Sequence, residues 1–172
     1  HKWMMSPLGT GFLYVTEELQ SRLKLAHRGY MGHVNPVDFG NFDQELSPNA
    51  RRFELGAFNA SGMAGAEMAT ELLLECGVDS IFRHVRKLIG QFEWGLEELP
   101  IETMYQFEDN EQSSICMFSH AEPQKNENLF HKLSESGVNI SLRGGGLRLA
   151  PHYYNTQNEI DEILTLLKSF VS

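Results

Sequence analysis

The spacing of apolar residues changes several times along this chain, and each change marks a different predicted element. In the first fifteen residues, two short apolar stretches flank Ser6-Pro7-Leu8-Gly9, which predicts two strands joined by a turn. The second stretch, Phe12 to Val15, is apolar without interruption and suits a strand buried on both faces of a larger sheet. Thr16 followed by Glu17 and Glu18 predicts a helix start, an acceptor first and negative charge in the opening turn. Leu19, Leu23 and Ala26 give that helix a thin apolar face. From His27 to Asn49 the periodicity disappears among Gly29, Gly32, Pro36, Gly40 and Pro48, which predicts a long loop of the kind that binds ligands or partners.

Helical spacing returns at Ser61, with Met63, Ala66, Ala69 and Leu73 on one face, and ends at Cys76 with Gly77 as the C-cap. The small residues Gly62, Ala64, Gly65 and Ala66 allow a neighbour to approach this helix closely. Asp79 then caps a longer helix whose stripe is Ile81, Val85, Leu88, Phe92, Leu96 and Leu99, stopped by Pro100. Ile101, Thr103, Tyr105 and Phe107 alternate with polar neighbours as a half-buried strand. Asp109-Asn110-Glu111 predicts a turn, and Ile115 to Ser119 a second strand. Asn126 to Gly137 reads as a short helix on Leu129, Phe130 and Leu133. Val138, Ile140 and Leu142 form an alternating strand, turned by Gly144-Gly145-Gly146 into Leu147-Arg148-Leu149-Ala150. The last helix opens with a capping box, Thr156 to Glu159, and runs on Ile160, Ile163, Leu164, Leu167 and Phe170. Strand pairs with helices between and after them predict a layer of helices on one side of a sheet.

The composition narrows the class. Among 172 residues, 41% are hydrophobic, enough for a core and too many for a disordered chain. No apolar run approaches the roughly 20 residues of a membrane span. With 23 acidic against 14 basic residues, the net charge of -9 argues against a nucleic-acid partner, whose phosphates call for a basic face. Two cysteines far apart, Cys76 and Cys116, predict a reducing compartment, hence a cytoplasmic protein. Seven histidines show no metal-ligand spacing, and no metal is expected. The chain opens on His1 and Lys2 without a methionine, which predicts a piece of something longer.

Two groups can carry chemistry. Lys2, beside His1, Trp3, Met4 and Met5, reads either as a solvated terminal lysine or as an amine made nucleophilic by burial, able to form a Schiff base with a carbonyl cofactor. Arg143 falls on the strand face opposite Val138, Ile140 and Leu142, and Arg148 points away from Leu147 and Leu149. Two guanidinium forks at one sheet end can clamp a carboxylate; surface arginines on strands account for the pattern equally. Three glycines between them favour close approach by backbone or ligand. Gly9-Thr10-Gly11 precedes a strand rather than a helix, and so makes a poor phosphate loop.

Taken in order, three segments resemble class V aminotransferases, the fold-type-I pyridoxal-phosphate family that includes cysteine desulfurases and isopenicillin N epimerase-like proteins. His1 through Val15 resembles the segment with the Schiff-base lysine, Arg52-Phe53-Glu54-Leu55-Gly56-Ala57-Phe58-Asn59 the stretch reaching the cofactor phosphate of the partner subunit, and Arg143 through Thr156 the substrate-carboxylate arginine with its following turn. The resemblance implies an α/β fold: the C-terminal part of a fold-type-I transferase, with the last strands of the large domain and an α+β small domain bearing an antiparallel sheet. Residues 1–50 would end the cofactor-binding domain and connect onward; residues 51–172 would hold a linking segment, long helices and the small domain.

The same resemblance implies pyridoxal 5′-phosphate as cofactor, an amino acid or related amine as substrate, and a homodimer. Lys2 would form the internal aldimine and move a proton at the substrate Cα, His1 would lie near the cofactor phosphate, Arg148 would bind the α-carboxylate, and Arg143 would add a second positive group. The family usually has Thr where Ala57 stands, so the phosphate contact at Gly56 and Ala57 falls to backbone N–H groups. Cysteine desulfurases carry a nucleophilic Cys on the loop before the carboxylate arginine, where this chain has Gly144-Gly145-Gly146-Leu147. Epimerase-, lyase- or aminotransferase-like chemistry is therefore favoured over desulfuration through a persulfide. The ring-stacking aromatic and the Asp that pairs with the ring nitrogen belong to an N-terminal half upstream of the lysine. The alternative is a non-catalytic assembly or interaction module that keeps the fold, using Phe12 to Val15 and the 27–49 loop against a partner.

Overall fold

A computed structural model of the chain describes residues 1–41, 43–105 and 113–171, arranged as two compact units, His1–Glu75 and Cys76–Ser172. Phe107 and the Asp109-Asn110-Glu111 turn lie outside the described residues.

In the first unit, α1 (Glu17–Arg22) starts where the sequence places it: the Thr16 hydroxyl accepts a hydrogen bond from the Leu19 N–H, with Glu17 and Glu18 in the opening turn. Its buried residue is Gln20, whose side-chain amide donates to the Val15 carbonyl, while Leu19 and Leu23 are exposed. Among its described residues, the 27–49 segment is a long loop with a bridge between His33 and Leu46 and a short 3-10 turn, Tyr30–Gly32. Residues Ala60–Cys76 form α2, capped by Asn59, whose side-chain oxygen accepts from the Gly62 N–H. A Cβ at Gly62 would collide with Thr10 and Asn59, so the neighbour admitted by these small residues is the 7–10 segment.

The two strands predicted within residues 1–15 are not formed. Lys2 to Met5 makes a turn closed by the Met5 N–H and the Lys2 carbonyl, a second turn falls at Leu8 and Gly9, and the rest is extended coil. Phe12, Leu13 and Tyr14 are 74%, 71% and 82% exposed. A strand needs a neighbour to satisfy its N–H and C=O groups, and no described strand pairs with this run, so of its four apolar residues Val15 alone is buried.

The second unit holds the core. Helix α3 (Val78–Leu96) buries Ile81, Val85, Leu88, Phe92 and Leu96 of the predicted stripe, together with Ile89, and ends before Leu99, which falls in the following turn. Gly77, at φ 79°, separates it from α2, and Asp79 sits in its first turn instead of capping it. Strands β1 (Ile101–Thr103) and β2 (Cys116–His120), helix α4 (Asn126–Glu135), strands β3 (Ser141–Arg143) and β4 (Gly146–Leu149), and helix α5 (Gln157–Val171) follow. The four strands make one antiparallel sheet in the order β1-β2-β4-β3. β1 stops sooner than the alternation predicted, with Tyr105 already exposed beyond it. As the edge strand, β3 begins only at Ser141, and Leu142 remains partly exposed.

Register sorts the side chains by face. Cys116, Phe118, Leu147 and Leu149 are buried on one side, where Leu129 and Leu133 of α4 and Ile160 and Leu167 of α5 are also sealed from solvent. Phe92 of α3 meets Phe118 of β2 edge to face, ring centroids 5.1 Å apart. The α5 capping box is formed: the Thr156 N–H donates to the Glu159 carboxylate at 2.6 Å, and the Glu159 N–H to the Thr156 hydroxyl at 3.3 Å. Truncating Phe92→Ala removes the side chain that joins helix to sheet, with an expected loss of about 3–5 kcal/mol. Urea unfolding followed by circular dichroism measures it, and a change below about 1 kcal/mol would contradict this packing.

Candidate functional site

The hairpin of β3 and β4 carries both arginines singled out in the sequence. Its turn is Gly144-Gly145, with φ of 57° and 82°; positive φ at both central residues is what a two-residue type I′ hairpin requires. Gly146 lies against the Met104 side chain and the Phe118 carbonyl, where a Cβ has no room. Gly144 and Gly145 thus answer to the hairpin turn, and Gly146 to the close approach of backbone that the triplet suggested.

The ladder pairs Ser141 with Arg148 and Arg143 with Gly146, so Arg143 and Arg148 share one face of the hairpin, opposite the buried Leu147 and Leu149. Arg143 is exposed and Arg148 half-buried. Neither forms an ion pair with a described carboxylate. The Nε of Arg148 and the hydroxyl of its cross-strand neighbour Ser141 are shielded from solvent, with no hydrogen-bond partner among the described residues. A buried donor left unpaired costs about 1–3 kcal/mol, so a guanidinium in this state is primed for an anionic acceptor.

One residue behind the hairpin escaped the sequence reading. Asn126, the first residue of α4, is 2% exposed and uses its whole amide. Its oxygen accepts from the His120 N–H at 2.8 Å, and its nitrogen donates to the Ser119 hydroxyl at 2.8 Å and to the Gly145 carbonyl at 2.7 Å. Sequence offered only an asparagine at a helix start, a position usually explained by capping.

The remaining candidates lie in the first unit. Lys2 is exposed on the Lys2–Met5 turn instead of desolvated in a strand, because the strand expected to bury it is not formed. That turn holds Met5 at φ 51°, a left-handed conformation that costs a non-glycine residue roughly 1–2 kcal/mol. His1 is exposed beside it. Gly56 is half-buried next to the Tyr30 ring and Ala57 is exposed; neither N–H donates to another described residue, which leaves two adjacent backbone donors open to an anion.

Neither cysteine is placed to act at the hairpin turn. Cys116 is buried in β2, and burial, with the Glu93 carboxylate adding to it and Arg86 opposing, pushes its thiol up to about 12. Cys76 ends α2 and is exposed.

Comparison with known proteins gives the family. The chain is 26% identical over 183 residues to a probable cysteine desulfurase of Pyrococcus abyssi, covering 99% of this chain and 45% of that protein. It is 28% identical over 166 residues to the uncharacterized aminotransferase YcbU of Bacillus subtilis, covering 94% and 42%. Among solved structures, the apo cysteine desulfurase from Thermococcus onnurineus NA1 superimposes with a TM-score of 0.86 at 21% identity, over 99% of this chain and 45% of that one. C-DES, solved with glycine covalently linked to its pyridoxal-phosphate cofactor, does so with a TM-score of 0.78 at 20% identity, over 97% and 43%. The chain thus spans less than half the length of these relatives and has the fold of the corresponding part of fold-type-I enzymes. Residues 1–163 match the aminotransferase class-V family, and the chain belongs to that family.

Proposed function

We propose that the whole protein built on this chain is a pyridoxal-phosphate enzyme acting on an α-amino acid or related amine. The observation that carries this reading is Arg148: a half-buried guanidinium without an ion-pair partner, its Nε lacking an acceptor, among the described residues, on a segment that resembles the carboxylate-binding segment of the class V family. Arg148 binds that carboxylate and fixes which bond of the substrate Cα is presented, while Arg143 on the same face adds positive charge and draws the anion in.

The cofactor, when bound, supplies an electron sink for the pair left behind when a bond to Cα breaks. Lys2 is its covalent anchor and, once freed by substrate, takes and returns the proton at Cα. The open N–H groups of Gly56 and Ala57 suit phosphate oxygens of the partner subunit's cofactor, and His1 would stand near the cofactor phosphate. The donor set present therefore fits the group. Residues 1–50 belong on this reading to the end of the cofactor domain. The assembly is a homodimer in the cytoplasm, consistent with two unpaired thiols.

The reaction stays at the substrate, as in an epimerase, lyase or aminotransferase, and does not pass sulfur to the protein. A tight Gly144-Gly145 turn without a thiol and a Cys116 held protonated by burial support this. Iodoacetamide at pH 8 is expected to label Cys76 in the native protein and Cys116 only after unfolding in urea. Rapid native labelling of Cys116 would undermine the assignment of a non-persulfide reaction.

Borohydride reduction of the whole protein loaded with pyridoxal phosphate, followed by peptide mass mapping, tests the central assignment. The phosphopyridoxyl group is expected on Lys2 and is lost in Lys2→Ala. Modification at another lysine would overturn the role of Lys2. A stable oligomer that takes up no cofactor would instead support the assembly module.

A further inference from the structure

We infer that Asn126 is a positioning residue for carboxylate recognition: it pins the tip of the β3–β4 hairpin to β2 and to the start of α4, and so holds Arg143 beside Arg148. This rests on the reading of Arg148 given above.

The argument begins with what fixes each arginine. Arg148 lies in the interior of the sheet, its strand bonded to β2 through Met117 on one side and to β3 through Ser141 on the other. Arg143 has no such support. It is the last residue of a three-residue edge strand, paired with Gly146 on one side only and followed by the Gly144-Gly145 turn. An edge hairpin of this length is marginal by itself. The one side-chain hydrogen bond to its turn among the described residues comes from Asn126, at 2.7 Å to the Gly145 carbonyl.

The clamp itself is rigid. Asn126 is buried, with its oxygen committed to the His120 N–H and its second amide hydrogen to the Ser119 hydroxyl, which in turn donates to the His120 carbonyl at 2.9 Å. On the next residues the His120 ring accepts from the Glu122 N–H at 2.9 Å, fixing the approach to α4. An amide is required here: one oxygen acceptor and two N–H donors match one N–H, one hydroxyl and one carbonyl. Aspartate has the same shape and keeps the contact to His120, but it presents an acceptor to the Gly145 carbonyl and repels the hairpin tip. In this arrangement α4 adds, through the Gly145 carbonyl, a second hold on the turn that Arg143 enters, where the ladder pairs Arg143 on one side only.

The test uses the whole protein loaded with pyridoxal phosphate, titrated with the proteinogenic L-amino acids and their decarboxylated amines, with binding read from the cofactor absorbance. Asn126→Ala and Asn126→Asp are expected to weaken amino-acid binding by about 10-fold while leaving amine binding unchanged, the size of one lost charge-assisted contact. Ser119→Ala, which removes the other amide contact but not the hairpin tie, should keep the acid-over-amine preference. Adding Asn126→Ala to Arg143→Ala should give no further loss. Faster amide hydrogen exchange at Gly145 and Gly146 in Asn126→Asp, with the melting temperature close to the parent's, would show the hairpin loosened in a folded protein. Equal losses for acid and amine, or none, would overturn the inference. If Arg148→Ala leaves the acid-over-amine preference intact, or no amino acid binds at all, the carboxylate reading fails first and the role of Asn126 falls with it. An intact Arg148 effect with no Asn126 effect sinks this inference alone.

Discussion

Strand β4 is hydrogen-bonded along both edges, to β2 and to β3, and one of its faces is sealed. The organisation of the second unit follows from that placement. Leu147 and Leu149 must turn inward together, because residues two apart on a strand share a face, and Arg148 between them must turn outward. Phe118 crosses the same buried layer to meet Phe92, locking sheet to α3, and α5 closes over it after a capping box that begins seven residues beyond Leu149. Arg148 is thus held on a central strand paired along both edges, with its Nε lacking an acceptor among the described residues.

The helices were legible because their apolar stripes are long and regular. Ile81, Val85, Leu88, Phe92 and Leu96 recur at helical spacing over sixteen positions, and Thr156 with Glu159 marks a start that the structure forms atom by atom. The strands of the sheet were legible in alternation but not in extent, since β1 and β3 lie at the sheet's edges, where pairing stops for reasons outside the local pattern. Phe12 to Val15 misled for a physical reason: an apolar run states what would be favourable to bury, while a strand also needs a partner, and none of the described strands is one. The Gly144-Gly145-Gly146 triplet was legible as a turn and as close approach by backbone: two glycines make the turn and the third lies against the Phe118 carbonyl.

The site was legible only in pieces. Arg143 and Arg148 could be placed on one face from alternation, and the register bears that out. Asn126 could not be found, because its partners, Ser119, His120 and Gly145, lie 6 to 19 positions away in the chain and meet only after the sheet is built. Lys2 stands out by resemblance to the family alone, for the structure holds it exposed on a turn. The chain belongs to the class V family, and its 26–28% identity is to a probable cysteine desulfurase and to an uncharacterized aminotransferase alike, so the comparisons give the family and not the reaction within it.

The most direct measurement is a crystal structure of the whole protein with pyridoxal phosphate and a bound α-amino acid. The account predicts the substrate carboxylate within hydrogen-bond distance of the Arg148 guanidinium, and the Lys2 amine adjacent to the carbon of the cofactor that carries its aldehyde. A carboxylate held by other residues, with Arg148 facing solvent and Lys2 remote from the cofactor, would contradict it.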